Sequence, residues 1–170
     1  MTTTLSNQLA SRATAILNLY RSHNLMIATA ESCTGGLIAA SLTEIAGSSQ
    51  VVDRGFVTYS NEAKNEVIGV DMSLIEAHGA VSSQVATAMA TGALAQSRAD
   101  AAVAVTGIAG PGGGTTEKPV GLVFIGAARL GQPPLTERHV FGGDRSQVRH
   151  ETVLAAFNLL EQLTKLQRSG

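Results

Sequence analysis

Apolar residues recur at helical spacing over residues 5–20, where Leu9, Ala13, Ile16, Leu17 and Tyr20 fall on one face, so the pattern predicts an amphipathic first helix. The run Leu25-Met26-Ile27-Ala28-Thr29-Ala30 is short and apolar, as suits a buried strand. Thr34 offers a cap for a second helix carrying Leu37, Ile38, Ser41, Leu42 and Ile45, with Gly47 closing it near its end. Residues 51–60 read as a second strand running into Asn61-Glu62-Ala63-Lys64, where a short helix begins. Another short helix is predicted over 73–78, and Ser82 or Ser83 caps a longer one over 84–96. Residues 101–105, 120–129 and 135–141 read as three further strands, the last two antiparallel through the turn Gly131-Gln132-Pro133-Pro134. Asp144 caps a final helix that reaches about residue 166.

Helices alternate with strands first and an antiparallel pair follows. The fold class expected is therefore α/β, with a mixed, mainly parallel sheet covered by helices on both faces. The 170 residues fit one domain over 1–170, without repeats or linkers. No stretch approaches ~20 uninterrupted apolar residues, and the amino terminus lacks the basic start and apolar run of a signal peptide. A cytoplasmic globular protein without a membrane partner is the expectation.

Charge and composition narrow the partners. A formal net charge of -1 gives no electrostatic footprint for nucleic acid, and with 4% aromatic residues little is left to stack on bases. The one cysteine, Cys33, excludes an internal disulfide and any cysteine-cluster zinc site. His23, His78, His139 and His150 have no metal-ligand spacing, and no Gly-x-Ser-x-Gly elbow accompanies them.

Four stretches carry candidate chemistry. In Ala28-Thr29-Ala30-Glu31-Ser32-Cys33-Thr34-Gly35-Gly36, a buried strand delivers Glu31 and Ser32 to a carboxyl end of the sheet, where open α/β sheets bind ligands. Gly35 and Gly36 permit close backbone approach, and amides at a helix start can hold an anion or oxyanion. Ser32 and Thr34 are equally well read as helix caps, and Cys33 as a buried structural thiol. In Phe56-Val57-Thr58-Tyr59-Ser60-Asn61-Glu62-Ala63-Lys64, Tyr59 and Lys64 flank a strand-to-helix corner. A desolvated lysine there would serve as base and a tyrosine as proton relay, although a surface lysine beside an interfacial tyrosine fits the spacing too. The run from Val105 through Thr106, Gly107, Ile108, Ala109, Gly110, Pro111 and Gly112 to Gly114 makes a glycine loop after a strand, with Lys118 close behind. It is neither a Walker A loop nor a dinucleotide fingerprint. Arg145, in Gly142-Gly143-Asp144-Arg145, fits a clamp for phosphate or carboxylate, or a structural bridge between loops. With no triad histidine indicated, a Ser–Lys or Ser–Tyr–Lys arrangement is the expected catalytic set.

Together the stretches Ala30-Glu31-Ser32-Cys33-Thr34-Gly35-Gly36, Gly55-Phe56-Val57-Thr58-Tyr59-Ser60-Asn61, Thr106-Gly107-Ile108-Ala109-Gly110-Pro111 and Gly142-Gly143-Asp144-Arg145 resemble, in order, the carboxy-terminal domain family of the competence/damage-inducible protein CinA. The resemblance extends to the family's stand-alone nicotinamide mononucleotide deamidases and covers residues 5–163. It implies a three-layer α/β/α fold, no metal or other cofactor, and a homo-oligomer, most simply a dimer. It also implies a small nucleotide substrate, nicotinamide mononucleotide, deamidated to nicotinate mononucleotide and ammonia. The amino-terminal domain of longer family members is absent from the match, so activities attached to that domain are not carried over. On this basis Ser32 is the expected nucleophile and Lys64, helped by Tyr59, the base. Glu31, Thr34, Gly35, Gly36, Thr106, Gly107, Gly110 and Arg145 are expected around the substrate, with Ser48 as a reserve candidate. The competing expectation is a non-catalytic nucleotide-binding or regulatory module.

Overall fold

The computed structural model describes residues 2–166, with side chains from residue 7 onward. Its elements run, in chain order, α1 (Thr2–Ser22), β1 (Ile27–Glu31), α2 (Leu37–Thr43), a 3₁₀ turn (Ser48–Gln50), β2 (Val52–Val57), α3 (Asn61–Ile68), α4 (Met72–His78), α5 (Ser83–Ala95), β3 (Ala101–Gly107), β4 (Leu122–Arg129), β5 (Leu135–Val140) and α6 (Arg145–Lys165). Every helix and strand expected from periodicity is present, with ends displaced by a few residues.

The five strands form one sheet in the order β2-β1-β3-β4-β5. β1 pairs in parallel with both β2 and β3, whereas β3–β4 and β4–β5 are antiparallel. Four strands therefore share one direction and β4 alone is reversed. β1 and β3 are buried along almost their whole length, which explains why they read as continuous apolar runs rather than as alternating ones.

Alternation across the pleat sorts the core into two faces. Ile27, Val103, Val105, Val123 and Ile125 meet α1, α2 and α6 through Ile16, Leu17, Ile38, Leu42, Val153 and Phe157. Tyr20 ties α1 to α6 by donating its hydroxyl to the Leu160 carbonyl at 2.8 Å. The opposite face is built from Ala28, Ala30, Ala102, Ala104 and Ala128 under α3, α4 and α5. Those small side chains let α5 lie close on the sheet: a Cβ at Gly126 would run into the Ala86 carbonyl. The result is a three-layer α/β/α arrangement. α6 begins at a full capping box, Asp144 accepting from the Gln147 amide while Gln147 accepts from the Asp144 amide.

Candidate active site

The parallel register fixes the first part of the site. Glu31 stands opposite Val57 on one side and Val105 on the other. The next row is Thr58, Ser32 and Thr106, held together by the Thr58 amide on the Glu31 carbonyl at 2.9 Å and the Ser32 amide on the Val105 carbonyl at 3.1 Å. Two residues earlier in β1 and β3, Ala30 and Ala104 belong to the α3–α5 face, so the pleat sends this row of hydroxyls to the same side. Thr106 spends its hydroxyl on the Ala80 carbonyl at 2.8 Å.

Lys64 comes to this row from α3, whose start is set by Ser60 capping the Ala63 amide. Its side chain is 1% exposed. Nζ donates to Ser32 Oγ at 3.2 Å, to the Thr58 carbonyl at 3.1 Å and, longer, to the Tyr59 carbonyl at 3.5 Å. Burial lowers the amine below its ordinary lysine value, while Cys33 and Glu62 push the other way. Cys33 faces the α1–α6 side instead. It is buried, and burial pushes its thiol up to about 11, which disfavours the thiolate that a cysteine nucleophile needs.

The turn after Ser32 departs from the cap expected of Thr34. Gly36 occupies the cap position of α2 and supplies no side chain. The capping group is Glu31, fully buried, whose carboxylate accepts from the Thr34 hydroxyl at 2.6 Å and from the amides of Ile38 at 2.8 Å and Ala39 at 3.0 Å. Glu31 therefore braces the turn from within and presents no oxygen to a substrate. Gly35 and Gly36 adopt positive φ, 58° and 104°, and reverse the chain between Ser32 and α2. The Gly35 amide is taken by the Ser32 carbonyl at 3.0 Å, whereas the amides of Cys33, Thr34 and Gly36 donate to no acceptor among the described residues.

A second cluster joins three distant segments. Arg145, first residue of α6, donates Nη1 to the Gly110 carbonyl at 2.8 Å and Nη2 to the Tyr59 hydroxyl at 3.1 Å. Tyr59 thus shares only its backbone carbonyl with Lys64, and its exposed ring extends toward Arg145. One turn along α6, Arg149 donates Nη2 to the Thr34 carbonyl at 2.8 Å, linking the helix to the Ser32 turn. Gly107 is a packing requirement, since a Cβ there would sit 2.7 Å from Val123 Cγ2 and 2.8 Å from the Leu122 carbonyl. Lys118 is tied to the His78 carbonyl at 2.9 Å.

Ser48 is not at the site. It opens the 3₁₀ turn that leads into β2, and since β1 and β2 are parallel it lies at the end of the sheet opposite Ser32. Proximity in sequence to the β1–α2 unit gave no information on which end it occupies. Sequence reasoning in turn missed Arg149 and Thr58. Arg149 follows Arg145 by one helical turn on one face of α6, and Thr58 is two residues beyond Phe56 on one side of a strand; both spacings were available signals. No group of three or more His, Cys, Asp or Glu arranged to hold a metal ion occurs among the described residues. None of the described helices is long and apolar enough to cross a membrane.

The family pattern for the CinA C-terminal domain matches residues 9–164. This chain belongs to that family. A CinA-like protein of Mycolicibacterium vanbaalenii is 56% identical over 80% of the chain, which there accounts for 32% of the relative's length. The chain thus spans about a third of such longer relatives. It covers most of a shorter one, the nicotinamide-nucleotide amidohydrolase PncC of Escherichia coli, with 52% identity over 80% of this chain and 82% of that protein. Among solved structures, the competence/damage inducible protein CihA from Agrobacterium tumefaciens superposes with a TM-score of 0.90 at 51% identity, covering 92% of this chain and 95% of that one.

Proposed function

We propose that the chain is an amidohydrolase that deamidates nicotinamide mononucleotide, with Ser32 as nucleophile and Lys64 as its base. The observation that carries the mechanism is the buried Lys64 Nζ 3.2 Å from Ser32 Oγ. The relatives named nicotinamide-nucleotide amidohydrolase supply the substrate.

In the neutral form Lys64 has two N–H groups and one lone pair. The Thr58 and Tyr59 carbonyls accept the two N–H groups, which turns the lone pair to the Ser32 hydroxyl. Ser32 Oγ bonds to the carboxamide carbon while its proton passes to Lys64 Nζ. The oxyanion so formed faces the free amides of Cys33, Thr34 and Gly36, aligned on the turn that Glu31 braces. Lys64 hands the proton to the carboxamide nitrogen, the C–N bond breaks and ammonia leaves, with the pyridine acyl group esterified to Ser32. Water then attacks the ester carbon and gives its proton to Lys64. The C–Oγ bond breaks, Ser32 regains the proton, and nicotinate mononucleotide departs.

Arg145 and the Gly110–Gly114 loop are assigned to the 5′-phosphate, with the Tyr59 hydroxyl on the Arg145 side of the pocket rather than in the proton relay. The test is ammonia release from a panel of pyridine nucleotides and free nicotinamide. Turnover of nicotinamide mononucleotide above the rest is expected. Nucleotide binding without ammonia would favour the non-catalytic module instead.

A further inference from the structure

The register that aligns three hydroxyls at the strand ends leaves one of them without a partner. Ser32 has Lys64 and Thr106 has the Ala80 carbonyl, but Thr58 is fully buried and its Oγ1 meets no hydrogen-bonding group. Buried hydroxyls are rarely left so, and a catalytic role is one of the reasons that keep them. Thr29 Oγ1 shares this condition, but it lies under α2, against Gly55 and Ala39 and away from the chemistry.

We propose that Thr58 is a positioning residue for Lys64, its Oγ1 accepting the third N–H of the ammonium that forms when Ser32 gives up its proton. The inference rests on the Ser32–Lys64 reading above. In the resting site two carbonyls satisfy the two N–H groups of a neutral amine. After proton transfer the amine has three, and the Ser32 oxygen, now bonded to the substrate carbon, is a poorer acceptor. Thr58 stands on the Lys64 side of the sheet, its carbonyl already holding Nζ at 3.1 Å, and the lone pairs of its hydroxyl are unused. Thr58 gains and loses no proton; it holds the ammonium in line until the leaving nitrogen collects the proton. The titratable groups whose charge acts on Lys64 are Glu62 on α3 and, from across the β1–α2 turn, Cys33. Glu31 on β1 is committed to the α2 cap, and α5 carries no charged residue.

The test uses Thr58→Val, which keeps the shape and removes the hydroxyl, and Thr58→Ser, which restores it. Ammonia release from nicotinamide mononucleotide is measured across pH, together with thermal unfolding. Thr58→Val is expected to fold with an unchanged or higher Tm, because an unpaired buried hydroxyl has become a methyl. Its kcat is expected to fall at least about tenfold, the worth of one hydrogen bond to a charged group, with KM within about twofold. The acid limb of its kcat profile should move to lower pH, because the protonated amine has lost an acceptor. Thr58→Ser should recover most of the rate. Wild-type kcat with an unmoved profile in Thr58→Val, or equal loss in both variants, overturns the proposal. Full turnover in Ser32→Ala or Lys64→Met would instead bring down the reading beneath it.

Discussion

Lys64 is a buried amine whose three polar neighbours are a hydroxyl and two carbonyls, with no carboxylate bonded to it. Burial therefore outweighs the opposing pull of Cys33 and Glu62 and favours the neutral form, which is the form a base needs. The same fact has a consequence for stability. With the folded value below the ordinary 10.5, the unfolded chain binds more protons between the two, so this residue's contribution to stability rises with pH across that window. Lys64→Met is expected to lose ammonia release. Its Tm relative to the wild type should be most favourable at low pH, with that advantage shrinking as pH climbs toward 10.5. A Tm difference that stays constant with pH would mean that the amine is not depressed. Cys33 gives the contrasting case at this scale: its neighbour in sequence is the proposed nucleophile, yet the pleat turns it to the other face and burial keeps it a thiol.

At the scale of elements, the β1–α2 connection depends on one carboxylate. Glu31 satisfies two amides of α2 and the Thr34 hydroxyl in full burial. Glu31→Gln would set an amide N–H against backbone N–H groups, so a loss of about 1–3 kcal/mol in stability is expected, read as a Tm lower by several degrees. Ammonia release should fall with it, since the Cys33, Thr34 and Gly36 amides lose their alignment; an unchanged Tm would refute the bracing role. The existence of these elements was legible because the helices repeat apolar positions at helical spacing and the buried strands stand out as short apolar runs. The Glu31 cap was not, because its partners are backbone amides seven and eight residues ahead, which no side-chain pattern records. The same limit hid the side-chain direction at Tyr59. Spacing puts it near Lys64 along the chain, but only the corner between β2 and α3 decides that its carbonyl, not its hydroxyl, reaches the amine.

At the scale of the whole molecule, the sheet order brings together segments that are far apart in sequence. β1 lies between β2 and β3, so the ends of three parallel strands supply Thr58, Ser32 and Thr106 as one row. α6, the last helix, crosses back to give Arg145 to Gly110 and Tyr59, and Arg149 to the Ser32 turn. Order and register depend on long-range pairing, which is why Ser48 was drawn to the site in sequence and lies at the other end of the sheet in space. If Arg145 anchors the phosphate, Arg145→Ala should raise KM for nicotinamide mononucleotide about 10–100-fold with little change in kcat. An equal effect on unphosphorylated nicotinamide riboside would contradict that anchoring. The central claim is that Ser32 forms the bond to the substrate, and it meets its most direct test in ammonia release from nicotinamide mononucleotide by purified Ser32→Ala. A loss of at least ~10³-fold in kcat with an unaltered unfolding transition is the predicted result. Turnover close to that of the wild type would contradict it.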